Sequence, residues 1–270
     1  MAFEIKDIDD TQAPLLEHLM ELRARLIRCL VALGLGFLVC FAFVKQIFAF
    51  LVRPLAAAFP DGQGRLVYTK LYEAFFVELK VALFAGLLLA FPVIANQLWA
   101  FIAPGLYARE KRAFLPFLIA TPVLFLSGAA LAYYVVMPNA FRWLLGFGGS
   151  LGGLKLEALP STGDYLDLVM QFIFAFGVSF LLPVLLMLLN RAGIVSRAQL
   201  KAARRYAIVG IVAAAAVLTP PDVASQLMLA VPLLILFEGT LVVMWFTERR
   251  AAARASAGPE EPAEPEMPLP

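Results

Sequence analysis

The sequence predicts an all-α membrane protein with six transmembrane helices, and three observations lead to this class. Hydrophobic residues make up 62% of the 270 residues, the mean hydropathy is +0.84, and only 16% of residues are charged, whereas soluble domains are about 25% charged. The apolar residues form continuous runs and do not alternate as in a barrel strand. A helix needs about 20 apolar residues to cross a bilayer. The predicted spans are 26–44, 76–101, 113–137, 165–189, 206–218 and 223–246.

Lysine and arginine predict the orientation of these spans. With the N-terminus inside, 15 of the 22 basic residues fall in cytoplasmic segments, as the positive-inside rule requires. Both termini are therefore expected in the cytoplasm. The first ten residues are acidic and carry no basic n-region, so we expect no cleavable signal peptide. We predict one transmembrane domain over 1–250 and a disordered cytoplasmic tail over 251–270, which is rich in proline and glutamate.

Proline residues inside the spans predict several kinked helices. Each proline removes one helical hydrogen bond and tends to bend its helix. Bent helices favour a concave bundle over a tightly packed one. The prolines in question are Pro92, Pro116, Pro122, Pro183 and Pro232.

The fifth predicted span is unusually short. Its 13 residues, "YAIVGIVAAAAVL", would extend about 20 Å, against a hydrocarbon core of about 30 Å. The span ends at "TPPD", where Pro220 and Pro221 cannot continue a helix. Two interpretations stay open: the helix thins the bilayer or lies behind its neighbours, or it extends back through "ARRY" with basic side chains reaching the interface.

Composition and motifs argue against several functional classes. The net charge of +2 gives no support for nucleic-acid binding. One histidine, His18, and two cysteines, Cys29 and Cys40, are too few for a Cys/His metal site, so no metal or cofactor is expected. The sequence contains no P-loop, "HExxH" or "GxSxG" motif, and we predict that the protein is not an enzyme.

The residues before the first span predict an amphipathic helix at the cytoplasmic surface. Its leucines share one narrow stripe and its charged residues the opposite side. The stripe consists of Leu15, Leu19, Leu22 and Leu26, and the charged side of Glu17, Glu21, Arg25 and Arg28. One interpretation is a simple ion pair between Glu21 and Arg25, worth about 0.3–0.5 kcal/mol.

A second acidic residue flanks the spans on the same predicted side. Glu110 is the only acid in the first cytoplasmic loop, "FIAPGLYAREKR". Taken alone, it balances charge within a basic cluster. Taken with Glu21, it provides a second carboxylate on one membrane face.

Several motifs in the same order resemble the TatC family, the membrane receptor subunit of the twin-arginine protein translocase. The matching segments are "HLMELRARL", "WAFIAPGLYAREKR", "AYYVVMP", "FAFGVSF" and "LTPPDVASQLMLAVPLLILFE". The resemblance implies a receptor in the bacterial inner membrane for folded cargo whose signal peptides carry two consecutive arginines. It also implies single-span TatA- and TatB-type partner subunits, self-association within the complex, and transport driven by the proton-motive force.

The same resemblance assigns roles to individual residues. It implies that Glu21 and Glu110 bind the arginine pair, and it places Arg23, Arg25, Phe101 and Pro104 in the same signal-peptide region. Thr219 and Gln226 match positions where the single-span subunits dock. Asp222 and Glu238 match further polar positions of the family.

One position departs from the family pattern. Many relatives carry an acid after "FGVSF", whereas this chain has Leu181, and a polar residue occurs ten positions earlier at Gln171. In one continuous helix, ten residues leave the two side chains on different faces. Whether Gln171 replaces the acid in recruiting a partner, or only bonds a neighbouring helix, stays open.

Two other functional classes are alternatives. A small-molecule or ion transporter would use Gln171, Glu238 and Glu78 as intramembrane polar sites, although no inverted repeat is visible in the sequence. A multi-span enzyme would need a nucleophile–base pair or a metal set, and neither is visible.

Overall fold

The computed structural model describes residues 9–59, 64–106, 111–151, 154–156, 158–191, 193–219 and 223–256. Within these ranges the chain forms ten α-helices, one π-helical segment and a two-stranded hairpin. The helices are α1 Asp9–Ala42, α2 Val44–Ala56, α3 Glu73–Leu106, α4 Lys111–Leu131, α5 Met137–Leu145, α6 Thr162–Ser179, α7 Leu182–Arg191, α8 Arg197–Ala202, α9 Arg204–Leu218 and α10 Val223–Ser256. The π-helical segment, Ala132–Val136, joins α4 to α5. Strands β1 (Gly149–Leu151) and β2 (Leu154–Leu156) pair antiparallel between α5 and α6.

Five helical stretches of the described chain are long and apolar enough to cross a membrane. They are Leu19–Ala42, Glu73–Phe101, Phe117–Leu145, Thr162–Arg191 and Val223–Arg249. They correspond to five of the six predicted spans, so the helical membrane class is confirmed. The first span begins earlier than predicted, at Leu19 instead of residue 26. The third span ends later than predicted, at Leu145 instead of residue 137, because the helical path continues through the π segment into α5.

The predicted fifth span, 206–218, is the helix α9. It has 15 residues and so extends about 22 Å, which is less than the hydrocarbon core of about 30 Å. It begins at Arg204, so the helix extends back through two arginines, and only Ala203 separates it from α8. Six membrane-crossing helices therefore stay a prediction that depends on how the bilayer accommodates α9.

The first helix is one continuous element, so the amphipathic segment predicted before span one leads into that span without a break. α1 runs for 34 residues without interruption, because "EHLMELRARLIRCLVA" contains no proline or glycine to stop it. Leu19, Leu22 and Leu26 are exposed on its outer side, as a lipid-facing stripe would be. Glu21 and Arg25 are partly buried on the side that packs against the rest of the protein.

α1 and α3 pack against each other along most of their length. Their backbones meet at two glycines, where a Cβ added to Gly36 would lie 2.7 Å from the carbonyl oxygen of Gly86. Any larger residue at either position would separate the helices. The glycines therefore set the distance between α1 and α3, and with it the position of Glu21 relative to the end of α3.

The centre of the molecule is an apolar core between α4, the π segment, α6 and α10. Its largest fully buried side chains include Phe125, Phe172, Phe176 and Met137. α2 was not predicted from the sequence, and it packs Leu51 and Leu55 into the same core. We call the end of the molecule formed by α2, residues 64–72 and residues 158–162 the α2 end.

At the α2 end, one carboxylate ties two loops together. Oε1 of Glu73 accepts hydrogen bonds from Ser161 Oγ (2.7 Å) and Gly163 N (2.8 Å). Oε2 accepts from the backbone N–H and hydroxyl of Thr69 at 2.6 and 2.9 Å. Glu73 therefore satisfies one of the first N–H groups of α6, that of Gly163, while it holds the segment that leads into α3.

The helical path of the fourth span is interrupted at Phe180 and Leu181, between α6 and α7. The interruption precedes Pro183, which cannot donate the N–H that would continue the helix. Because the path is not one ideal helix, the rotation between Gln171 and Leu181 predicted for a continuous helix does not apply. The bends predicted at the other prolines, and a concave overall shape, stay predictions.

The C-terminal helix is longer than predicted. α10 continues to Ser256, so residues 251–256, assigned above to a disordered tail, are helical. Residues 257–270 lie outside the described residues, and the prediction of disorder stands only for them.

Candidate signal-peptide site

Basic side chains concentrate at the end of the molecule opposite to α2, which we call the basic end. It consists of the N-terminal half of α1, the C-terminal end of α3, the first turns of α4, residues 188–205, and the C-terminal part of α10. Contacts between elements define it: Arg28 of α1 reaches Gln97 of α3, and Arg197 of α8 reaches Glu248 of α10. The sequence-predicted signal-peptide residues with described side chains all belong to this end.

Glu21 is held by an ion pair within α1. The guanidinium of Arg25 donates to Glu21 Oε1 through Nε at 3.0 Å and also through Nη2. The Arg25 side chain is 17% exposed and that of Glu21 is 39% exposed. This is the simple ion pair that the i, i+4 spacing predicts, and that interpretation is confirmed.

The ion pair leaves half of the Glu21 carboxylate available. Both bonds from Arg25 end on Oε1, and within the described part of the chain Oε2 accepts no hydrogen bond. A carboxylate has about four lone-pair positions and accepts a guanidinium fork with two parallel bonds. Glu21 therefore has the capacity to bind a second guanidinium without first releasing Arg25.

The contact between Arg28 and Gln97 fixes the register of α1 against α3. Arg28 Nη1 donates to Gln97 Oε1 at 3.4 Å, and the glycine contact at residues 36 and 86 shows that the two helices are antiparallel. Glu21 lies seven residues before Arg28, about 10 Å along the helix. Seven residues beyond Gln97 is Pro104, so Glu21 lies level with the last turn of α3.

The remaining predicted signal-peptide residues are placed as follows. Phe101 is a half-buried residue near the end of α3, and Pro104 belongs to the same helix. Arg23 is exposed and lies about 200° around the helix from Glu21, so it does not share the face of the carboxylate. Glu110 lies outside the described residues, between the last residue of α3 and the first residue of α4.

Sequence reasoning missed one contact that joins α3 to α4 at the basic end and one that joins α7 to α4. Trp99 Nε1 donates to Thr121 Oγ1 at 2.8 Å, and Thr121 in turn donates to the carbonyl of Phe117 at 2.7 Å. The guanidinium of Arg191 lies 5.4 Å from the centre of the Phe117 ring. Polar residues inside apolar spans, here Gln97 and Thr121, were the available signal.

The predicted docking residues for partner subunits bond to backbone carbonyls around α9. Thr219, which is buried, donates to Ala215 O at 2.8 Å. Gln226 of α10 donates to Val212 O at 3.3 Å, and Gln171 of α6 donates to Leu218 O at 3.4 Å. The neighbouring helices thus hold the short helix α9 through its carbonyl groups.

The other polar candidates have different positions. Glu238 of α10 accepts from Arg204 of α9 at 2.7 Å, and both side chains are about half exposed. Asp222 lies outside the described residues. Leu181 lines an apolar cavity between α3, α7, α9 and α10.

Comparison with known proteins agrees with this geometry over most of the chain. The family model described as Sec-independent protein translocase protein (TatC) matches residues 17–232. The TatC of Magnetococcus marinus is 49% identical over 248 residues, which cover 92% of this chain and 90% of that protein. The TatC of Escherichia coli K12 is 40% identical over 231 residues, covering 86% and 87% of the two chains.

The fold also matches a solved structure. A crystal structure of the twin-arginine translocase receptor TatC in DDM superimposes with a TM-score of 0.72 at 37% identity, covering 84% of this chain and 98% of that one. The matching family is a component of a membrane protein translocase and is not a known class of enzyme. This chain belongs to the TatC family of Sec-independent protein translocase proteins.

Proposed function

We propose that this chain is the receptor subunit that binds signal peptides with two consecutive arginines and directs the export of folded proteins across the bacterial inner membrane. Glu21 and Glu110 bind the two guanidinium groups. The observation that carries the proposal is the Glu21 carboxylate at the basic end, with one oxygen held by Arg25 and the other open to a further donor.

The position of Glu21 supports its role in recognition. It lies level with the last turn of α3, and α3 ends four residues before Glu110. α4 begins at Lys111, directly after Glu110. The four-residue connection spans at most about 14 Å, which supports the proposal that Glu110 lies at the same end of the molecule as Glu21. Two carboxylates on one rim can bind two adjacent guanidinium groups of an extended peptide.

The energetics require that the site be partly sheltered. A fully solvated ion pair contributes about 0–1 kcal/mol, which is too little to select one peptide among many basic segments. Hydrogen bonds to charged groups contribute about 1.5–3 kcal/mol each when they are sheltered. Two such contacts give about 3–6 kcal/mol, or about 10²–10⁴ in affinity. The partial burial of Arg25 beside α3 supports a sheltered site.

The distribution of basic residues supports an orientation with both termini in the cytoplasm. The basic end holds Arg25, Arg28, Arg191, Arg197 and Arg204, whereas α2 and the hairpin β1–β2 lie toward the opposite side. If α9 is a sixth, short span, then α1 begins and α10 ends at the cytoplasmic face. A signal peptide arriving from the cytoplasm would then meet Glu21 first.

The partner subunits are proposed to be single-span TatA- and TatB-type proteins, with self-association of this chain in the complex. Thr219, Gln226 and Gln171 surround α9, whose exposed apolar residues face outward. Gln171 and Gln226 donate long hydrogen bonds of 3.4 and 3.3 Å. A polar residue on a partner helix would replace the carbonyl oxygens that accept these bonds. Asp222 and Glu238 stay further candidates. The proton-motive force would supply the work, at about 2.3 kcal/mol per charge and 100 mV.

Two of the three polar residues of the transporter alternative, Glu238 and Gln171, have structural partners. Glu238 forms an ion pair with Arg204, and Gln171 bonds the end of α9. No observation in the described chain favours a solute pathway through them. A flux assay with the purified chain alone in liposomes distinguishes the two functions, because a receptor moves no small solute without its partners.

Cross-linking tests the assignment of the site. The variants Glu21→Gln and Glu110→Gln are each expected to abolish cross-linking of an arginine-pair signal peptide, because an amide does not accept a guanidinium fork as a carboxylate does. Glu248→Gln is the matched control, since Glu248 also lies at the basic end and also pairs with an arginine. All three variants should insert into membranes at the wild-type level. Unchanged cross-linking in both test variants would refute the site.

A further inference from the structure

Arg28 continues the row of charged residues that begins at Glu21. Glu21, Arg25 and Arg28 are four and then three residues apart, so they share one face of α1. Seven residues bring Arg28 to within about 20° of Glu21 around the helix and about 10 Å farther along it. This direction leads into the apolar span Leu19–Ala42. The face that carries the proposed recognition carboxylate therefore also carries a guanidinium group, deeper in the molecule.

α3 has a corresponding pair of residues. Gln97 comes four residues, or one turn, before Phe101, so both share one face of α3. Phe101 belongs to the predicted signal-peptide region and is half-buried. The two helices meet where Arg28 Nη1 donates to Gln97 Oε1 at 3.4 Å. Because α1 and α3 are antiparallel, Glu21 and Phe101 both lie between this contact and the basic end. The Arg28–Gln97 contact therefore marks the deep end of the proposed site.

Arg28 keeps a positive charge and free hydrogen-bonding capacity at this position. It is exposed, and no carboxylate in the described part of the chain forms a salt bridge with it. Its bond to Gln97 is long and leaves most of the guanidinium N–H groups free. A guanidinium group in a protein is not deprotonated, so its charge is permanent. A peptide side chain beside Arg28 is therefore repelled if it is cationic and attracted if it is anionic.

We propose that Arg28 is a specificity-determining residue, which selects against signal peptides that carry a lysine or arginine about three residues after the arginine bound by Glu21. This inference rests on the proposed function. A signal peptide continues from its basic part into an apolar stretch, which would follow α1 from Glu21 toward its apolar span and pass Arg28. An extended chain rises about 3.3 Å per residue, so about three residues cover the distance of about 10 Å between Glu21 and Arg28.

Together, Glu21 and Arg28 would recognise where the positive charge of a peptide stops. Glu21 attracts a guanidinium at the rim of the site, and Arg28 repels the next cation along the peptide. An arginine pair followed by neutral residues satisfies both groups. A long basic segment satisfies Glu21 but places a cation beside Arg28, so the receptor rejects it although it contains adjacent arginines.

A charge scan of the peptide tests this role. The parent peptide carries an arginine pair followed by neutral residues, and each of the about five residues after the pair is changed in turn to lysine or to glutamine. Titration against the full chain in detergent measures each affinity. Near the third position, we expect lysine to bind about tenfold more weakly than glutamine. Glutamate at that position should bind about tenfold more tightly than glutamine, and this comparison needs only the wild-type chain.

The charge at position 28 is then varied. Arg28→Lys keeps the positive charge and should keep the lysine penalty, whereas Arg28→Gln should reduce the penalty to less than about twofold. Arg28→Glu should invert it, so that lysine binds more tightly than glutamine. The matched control is Arg205→Gln, because Arg205 is also an exposed arginine of the basic end and also forms no salt bridge within the described residues. Since Arg205 belongs to α9, its loss should leave the penalty unchanged.

Binding of the parent peptide separates this inference from the proposed function. If the parent binds no better than a peptide with glutamines in place of both arginines, both are refuted. If the parent binds but lysine and glutamine are tolerated equally at every scanned position, only the role of Arg28 is refuted. The same conclusion follows if Arg28→Gln weakens all peptides by one common factor, as expected of a residue that only holds α1 against α3 or contacts a lipid phosphate. It also follows if Arg205→Gln removes the penalty.

Discussion

Tyr133 donates a hydrogen bond of 2.6 Å to the backbone carbonyl of Phe50. That carbonyl has no partner in its own helix at position i+4, because residue 54 is a proline and carries no N–H. The Tyr133 and Phe50 rings also stack with their centres 4.3 Å apart. A side chain from the π segment thus supplies the bond that Pro54 removes, and it fastens α2 to the core.

We expect Tyr133→Phe to destabilise the protein by about 1 kcal/mol, since a carbonyl near the core loses its donor. The matched test is the same change in a Pro54→Ala background. An alanine at 54 restores the N–H that can bond Phe50 O, so the cost of Tyr133→Phe should fall by at least about half. Thermal unfolding in detergent measures all four proteins. Equal costs in the two backgrounds would show that the tyrosine does not compensate for the proline.

The second prediction concerns the contact between α1 and α3. Gly86→Ala places a Cβ 2.7 Å from the backbone nitrogen of Phe37, and the two helices must move apart. Overpacking of this kind costs about 1–3 kcal/mol, and the movement also displaces Glu21 from the end of α3. We expect a lower midpoint of thermal unfolding and weaker signal-peptide cross-linking.

Gly34→Ala is the control for that prediction, because a Cβ at Gly34 meets nothing within 4 Å. It should be neutral or stabilise by up to about 1 kcal/mol through helix propensity. A Gly86→Ala protein as stable as Gly34→Ala would mean that the helices are not held at the glycine distance.

The third prediction concerns Glu73, which accepts bonds from Thr69, Ser161 and Gly163. In Glu73→Gln, one side-chain oxygen becomes an NH₂ donor that faces the N–H and hydroxyl donors of these residues. We expect the α2 end to open, which limited proteolysis would detect as several-fold faster cleavage within residues 64–72. The control is Glu78→Gln, five residues along the same helix, which should digest at the wild-type rate. Unchanged cleavage in Glu73→Gln would show that the loops are held by other contacts.

The sequence predicts contacts between residues that are close along the chain better than contacts between residues that are far apart along it. The Glu21–Arg25 pair follows from a spacing of four residues, and the apolar helices follow from continuous runs. The Arg28–Gln97 contact joins residues 69 apart, and Ser161 reaches Glu73 across 88. Neither contact produces a recognisable pattern in the local sequence, because each depends on how whole helices pack.

α2 shows a different limit of sequence reasoning. Its 13 residues are too few for a span and contain Pro54, which local rules take as a helix breaker. The helix forms because the core buries Leu51 and Leu55 and because Tyr133 and Tyr165 donate to the carbonyls of Phe50 and Leu51. For the candidate site, Glu21 is placed by the structure, whereas the role of Glu110 stays a prediction.

The last prediction concerns the chemistry of recognition. Replacing the two arginines of a signal peptide by lysines keeps the charge but removes the planar fork that a carboxylate accepts with two bonds. Affinity for the wild-type chain, measured by peptide titration in detergent, should fall about tenfold or more. The same comparison in Glu21→Gln, titrated to peptide concentrations high enough to measure its weak residual binding, is the control, because a carboxylate that reads the fork is then missing and the preference for arginine should shrink. An arginine preference of the same size in both proteins would mean that Glu21 does not contact the arginine pair.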